Sequence, residues 1–238
     1  MKDLVLNMTI GYPDENTFFR MLDMLDEEKV PVLELGIPVG NPFVDGDLIR
    51  QSHKKVLDSG IGQKKIIRWL QRIRRDYKFC IILMTYKEGM ERFCLSELDK
   101  NLYDGILCVD EVIRADTGMR PVQIYNETMT EVQMLSLLAE NKNFAYVMSG
   151  NGKTGSFSCL PDGYKRTVHF LKKNTNLPVY VGFGIKTLKD VNAVCSHGAD
   201  GVIIGSHFMR IMSEKGYLEC KKYINIINNY LQKTALQP

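Results

Sequence analysis

Short apolar runs rich in strand-forming residues alternate along the whole chain with longer segments whose apolar positions recur at helical spacing. The runs predict eight strands, at Leu4–Ile10, Val30–Ile37, Phe79–Thr85, Gly105–Val109, Pro121–Tyr125, Phe144–Ser149, Pro178–Gly182 and Gly201–Gly205. Helical spacing predicts helices over Glu15–Glu28, Gln63–Arg75, Met90–Leu98, Glu131–Glu140, Asp162–Lys173 and Leu188–Ser196, with a last one over about Leu218–Gln232. Strands that alternate with helices pair in parallel through right-handed crossovers, and near-continuous apolar strands need both sheet faces covered. A count of eight favours a closed (β/α)8 TIM barrel over an open doubly wound sheet. The stretch Asp110–Arg120 barely holds a crossover helix, so either the fourth helical segment is shortened or a neighbouring strand is misplaced.

A length of 238 residues fits one barrel domain, and no Ser/Gly-rich linker divides the chain. A formal charge of +3 argues against nucleic acid or a membrane surface as partner. The six cysteines show neither CxxC nor metal-like spacing, which fits a reducing cytoplasm and no metal site. The opening Leu4–Gly11 stretch is too short and strand-like for a signal peptide, and no run is long enough to span a membrane.

In such a barrel, functional groups project from the carboxyl ends of the strands and the loops that follow them. Glu34 interrupts an otherwise apolar strand, between Leu33 and Leu35. A buried carboxylate must be partnered, neutral or facing a cavity, and if the two leucines meet the helices, Glu34 points into the barrel. Asp45 follows in the Gly/Pro-punctuated loop after the same strand, so the two carboxylates could divide acid and base roles. After the sixth strand, Ser149–Gly155 is glycine-rich and could offer amide N–H groups to an anion or form a plain turn; it is not a Walker loop. Gly182-Phe183-Gly184 and Gly205-Ser206 end the seventh and eighth strands, the usual place for a phosphate in barrels, and Ser206 leads into a helical His207–Met212. His207 is the histidine nearest that phosphate position, with a surface or capping role the simpler reading. Trp69 and the basic residues Lys64, Lys65, Arg68, Arg72, Arg74 and Arg75 read as a solvated helix face away from the strand ends.

The stretch Glu34-Leu-Gly-Ile-Pro with Asn41-Pro and Asp45-Gly resembles the signature of the tryptophan synthase alpha subunit family, the indole-3-glycerol-phosphate lyases. Thr9-Ile-Gly-Tyr-Pro13, Leu83-Met-Thr-Tyr86, Tyr146-Val-Met-Ser149, Gly182-Phe-Gly-Ile185 and Ala199-Asp-Gly201 extend the resemblance over nearly the whole chain. It implies retro-aldol cleavage of indole-3-glycerol phosphate to indole and glyceraldehyde 3-phosphate, with no metal or organic cofactor. Glu34 is then the acid–base that protonates the indole carbon losing its side chain, and Asp45 accepts the indole N–H. Phosphate is implied at Gly155, Gly184, Gly205 and Ser206, with Asn7, Leu83, Leu107, Tyr146, Thr154 and Phe183 around the substrate.

Departures from the family pattern accompany these matches. The helix before the first strand is absent, Asn7 stands where the family carries an aromatic, Asn41 replaces the aspartate of Ser-Asp-Pro, and Gly150 replaces an arginine. The resemblance implies a beta-type subunit as partner. The shortened segments after Tyr86 and Asp110, which in the family carry much of that contact, imply that the partnership is lost or remodelled. Two other readings stay open: a lyase or isomerase for another phosphorylated substrate, and an inactive barrel kept as a binding subunit.

Overall fold

The computed structural model describes residues 2–150, 152 and 159–234. Eight strands form one parallel sheet: β1 (Asp3–Thr9), β2 (Val32–Gly36), β3 (Cys80–Thr85), β4 (Gly105–Cys108), β5 (Gln123–Tyr125), β6 (Ala145–Met148), β7 (Val179–Gly182) and β8 (Gly201–Ile204). Hydrogen bonding runs β4-β3-β2-β1-β8-β7-β6-β5. The two ends meet through a parallel bridge between Ile106 and Pro121, with the Val122 N–H donating to the Ile106 carbonyl at 2.8 Å. The chain therefore forms the (β/α)8 barrel expected from its alternation, closed at the β4/β5 edge by this short contact.

Helices α1 (Glu15–Glu27), α2 (Asp47–Asp58), α3 (Gln63–Asp76), α4 (Lys87–Arg92), α5 (Glu131–Glu140), α6 (Tyr164–Asn174), α7 (Leu188–Ser196), α8 (Ser206–Lys215) and α9 (Tyr217–Thr234) accompany the strands. None of the described helices is long and apolar enough to cross a membrane. Strand alternation sorts the core into two layers. Leu33, Leu35, Ile81 and Leu83 point outward and pack with helix residues such as Phe18, Ile66 and Leu70. Val5, Val32, Ile82, Leu107, Phe144, Tyr146, Tyr180 and Ile203 fill the barrel.

The structure corrects two expectations, on the helix after β3 and on Trp69, and bears out the shortened segment after β4. The helix expected over Met90–Leu98 is α4, which starts earlier and stops at Arg92; Cys94 then takes a left-handed φ of 48° before a 3-10 turn at Leu95–Glu97. Between β4 and β5 a 3-10 turn at Ala115–Thr117 stands in for a helix, and the buried Gln123 side chain ties this connection down by donating to the Ile113 carbonyl at 2.7 Å. Trp69 does not belong to a solvated face: it is 5% exposed and packs beside Phe18. Its ring lies over the turn after β1, where Gly11 has a φ of 76° and a β-carbon would sit 2.3 Å from the indole, so only glycine fits.

Candidate active site

The carboxyl ends of the strands surround a cleft with about 610 Å³ of free space, counting its open mouth. Asn7, Glu34, Gly36, Asp45, Ile49, His53, Met84, Tyr86, Tyr146, Phe183, Gly184, Ile185, Ile203, Gly205 and Ser206 line it. β2 places Glu34 in the inner layer because its neighbours Leu33 and Leu35 are drawn outward by the helices. The carboxyl group is 1% exposed. Its Oε2 accepts from the Asn7 amide Nδ2 at 2.9 Å, whereas its Oε1 is buried with no hydrogen-bond partner among the described residues.

Burial raises the Glu34 pKa to about 7, partly opposed by the Asn7 hydrogen bond and reinforced by the charge of Asp45. A carboxyl group poised there can exist in both protonation states near neutral pH, which a general acid–base requires. Asp45 enters from the loop after β2 and is 4% exposed. Its Oδ2 accepts from the Tyr86 hydroxyl at 2.8 Å, and burial together with the nearby Asp45 charge holds the Tyr86 phenol far above its ordinary pKa, so it stays a donor. Tyr146 spans the barrel beside Gly182, where a β-carbon would lie 2.5 Å from the phenol oxygen. Its phenol is also raised well above the ordinary value by burial, then by Glu34 and Asp45.

The far wall combines a turn at positive φ with the N-terminus of a helix. Phe183 and Gly184 both take a φ of 73°, and the strained Phe183 is held by the Ser149 hydroxyl, which donates to its carbonyl at 2.6 Å. Gly205 is the N-cap of α8 and has no side chain with which to cap that end, and Gly205 and Ser206 line the cleft with the positive end of the helix behind them.

Of the residues singled out from sequence, Glu34, Asp45, Asn7, Tyr146, Phe183, Gly184, Gly205 and Ser206 come together around this one cleft. Leu107 lies in the inner layer below it. Leu83 does not join them: it points to the helices, and the next residue of β3, Met84, takes the cleft position, its sulfur 3.4 Å from Asn7 Nδ2. Thr154 and Gly155 lie outside the described residues. His207 lines a separate groove with Lys186, Lys215 and Tyr223. Tyr86, Ile49 and His53 also line the cleft without standing out in the sequence; Tyr86 carries a signal as the polar end of the β3 run, whereas the other two sit on a helix whose apolar spacing is broken by buried polar residues.

The tryptophan synthase alpha chain family model matches residues 1–235. The chain is 31% identical to the tryptophan synthase alpha chain of Thermotoga petrophila, over 98% of this chain and 100% of that one. It is also 31% identical to the one from Prochlorococcus marinus strain SARG, over 85% of this chain and 81% of the relative. Among solved structures, the tryptophan synthase a2b2 complex from Pyrococcus furiosus, a structure concerned with its mutual activation, contains a chain that superposes with a TM-score of 0.81 at 28% identity, covering 98% of this chain and 99% of that one.

Proposed function

This chain belongs to the tryptophan synthase alpha chain family, whose members cleave indole-3-glycerol phosphate to indole and glyceraldehyde 3-phosphate, and we propose that Glu34 and Asp45 carry that cleavage here. The observation that supports it most is the Glu34 carboxyl group, fixed at Oε2 by Asn7 and, among the described residues, unpartnered at Oε1, in the same cleft as the N-terminus of α8 at Gly205.

Phosphate seats on the amides of Gly184, Gly205 and Ser206, with charge-assisted hydrogen bonds each contributing about 1.5–3 kcal/mol. That anchor sets the aromatic ring against Phe183 and Tyr146, with its N–H toward Asp45. Protonated Glu34 gives its proton to the ring carbon that bears the side chain. The ring becomes cationic, and Asp45 stabilises it through the N–H it accepts. The carbon–carbon bond then breaks as the adjacent hydroxyl loses its proton to the Glu34 carboxylate. The bond electrons restore the aromatic indole, the oxygen becomes the aldehyde of glyceraldehyde 3-phosphate, and Glu34 ends protonated as it began. A positioned acid–base of this kind contributes roughly 10²–10⁴-fold.

In this reading, a beta-type subunit is the partner of the strand-end face, engaged through segments that differ from the family's because α4 and the β4–β5 connection are short. Titration with a tryptophan synthase beta subunit tests this remodelling: weakened binding without mutual activation is the expected result, and tight binding with mutual activation would contradict it. We place the reaction in the cytoplasm, where six unpaired cysteines stay thiols. The test of the reaction itself is quantitative release of both indole and glyceraldehyde 3-phosphate, in equal amounts, from indole-3-glycerol phosphate.

A further inference from the structure

His53 belongs to the cleft but has no part in the chemistry above. It sits one helical turn after Ile49 on α2, and both residues line the cleft. The imidazole is 4% exposed. The Val39 backbone N–H donates to Nδ1 at 3.2 Å, which makes Nδ1 an acceptor and leaves the ring's proton on Nε2. Burial pushes the imidazole pKa down to about 4, outweighing the Val39 contact and the Glu88 charge, so the ring is neutral at working pH. Among the described residues, nothing accepts from Nε2.

That nitrogen lies beside Gly36. Strand alternation aims Gly36 inward, one step beyond Glu34 toward the cleft mouth, and a β-carbon there would lie 3.6 Å from Nε2. The imidazole edge thus lies in van der Waals contact with the inward-facing position that follows the acid on β2, in the cleft that Glu34 also lines. On the functional reading given above, the ring to be protonated lies at Glu34 and the phosphate at Gly184, Gly205 and Ser206. The stretch of substrate between those anchors is the short polyol chain, whose oxygens can accept.

We propose that His53 is a substrate-binding residue whose Nε2–H donates to a hydroxyl oxygen of the chain linking ring and phosphate. This rests on the lyase reading and adds to it a reason for selecting a hydroxylated linker over a plain alkyl one. A neutral donor fixed by the backbone offers a hydrogen bond without adding a titration to the pH profile. A site built to bond a hydroxyl discriminates against its absence because the donor is left buried and unpaired.

The test compares His53→Leu and His53→Gln with wild type, using the substrate and 3-(indol-3-yl)propyl phosphate, which keeps ring and phosphate but has no hydroxyl. His53→Leu is expected to lose about 3–10-fold in kcat/KM. His53→Gln, which can return an N–H to that place, is expected to recover most of it. Inhibition by the propyl phosphate should be the same in all three proteins, and the pH profile should keep its shape. Unchanged kcat/KM in His53→Leu, equal loss of affinity for the propyl phosphate, or no recovery in a folded His53→Gln would overturn the assignment. Should His53→Leu fail to fold, His53→Met takes its place with the same outcomes. Turnover by wild type separates the two claims, since a protein that releases no indole loses both, and one that turns over indifferently to residue 53 loses only this one.

Discussion

Asn7 and Glu34 stand opposite each other in the parallel register of β1 and β2, and the amide Nδ2 of the first lies 2.9 Å from Oε2 of the second. The polar residue found where relatives are expected to carry an aromatic thus acts on the acid itself. An N–H donated to Oε2 stabilises the carboxylate and leaves Oε1 as the oxygen that carries the proton.

Replacing Asn7 by leucine removes that donor at similar volume. The Glu34 pKa, about 7 in the wild type, should rise. Because the first step uses the protonated form, kcat/KM in wild type should fall as pH rises through about 7, and in Asn7→Leu that alkaline limb should move to higher pH. Rate profiles between pH 5 and about 9 check it; an alkaline limb left in place would show that Asn7 does not act on the acid.

The same buried carboxyl group makes stability depend on pH. Its folded pKa of about 7 exceeds the ordinary 4.5, so the folded state holds a proton that the unfolded chain has released between those values. Stability therefore falls as pH rises from about 4.5 to 7, by an amount on the order of 3 kcal/mol at 1.36 kcal/mol per unit. Glu34→Gln should be more stable than wild type at pH about 8, with the difference shrinking toward pH about 4.5. Urea midpoints across that range measure it, and a gap that does not change with pH would contradict it.

Tyr86 donates to Asp45 at 2.8 Å in a buried setting. A hydrogen bond to a charged group contributes about 1.5–3 kcal/mol, so Tyr86→Phe should lower kcat/KM by roughly 10–100-fold by freeing Asp45 from its place. The loss should appear for indole release while inhibition by inorganic phosphate is unchanged, since the phosphate wall is separate.

Gly184 has a φ of 73°, which a side chain tolerates poorly. Gly184→Ala should turn that amide away from the phosphate and raise KM by about 10-fold with a smaller change in kcat, together with weaker inhibition by inorganic phosphate. An unchanged KM would remove Gly184 from the phosphate site.

The barrel was readable in the sequence because its strands are apolar on both faces and punctuated by glycine, and Glu34 stood out because a charge in such a strand has few places to go. What the sequence does not reveal follows from polar groups at buried positions. α2 buries Ser52 and His53 alongside Ile49 and Val56, the serine sharing a 2.6 Å hydrogen bond with Thr9, so its apolar spacing is broken and neither the helix nor His53 could be picked out. The resemblance implies Leu83 at the substrate where Met84 stands, because a one-residue difference in alignment exchanges the inner and outer faces of a strand. The tie between Gln123 and the Ile113 carbonyl, which lets the chain dispense with a helix between β4 and β5, depends on contacts that no local pattern encodes.

The central claim is that one carboxyl group transfers the proton that breaks the bond. Indole release from indole-3-glycerol phosphate by wild type and Glu34→Gln, each without any partner, tests it directly. Removing the acid–base should lower kcat by about 10²–10⁴-fold while the variant stays folded and still binds 3-(indol-3-yl)propyl phosphate. A folded Glu34→Gln that releases indole within a few-fold of the wild-type rate would contradict the account.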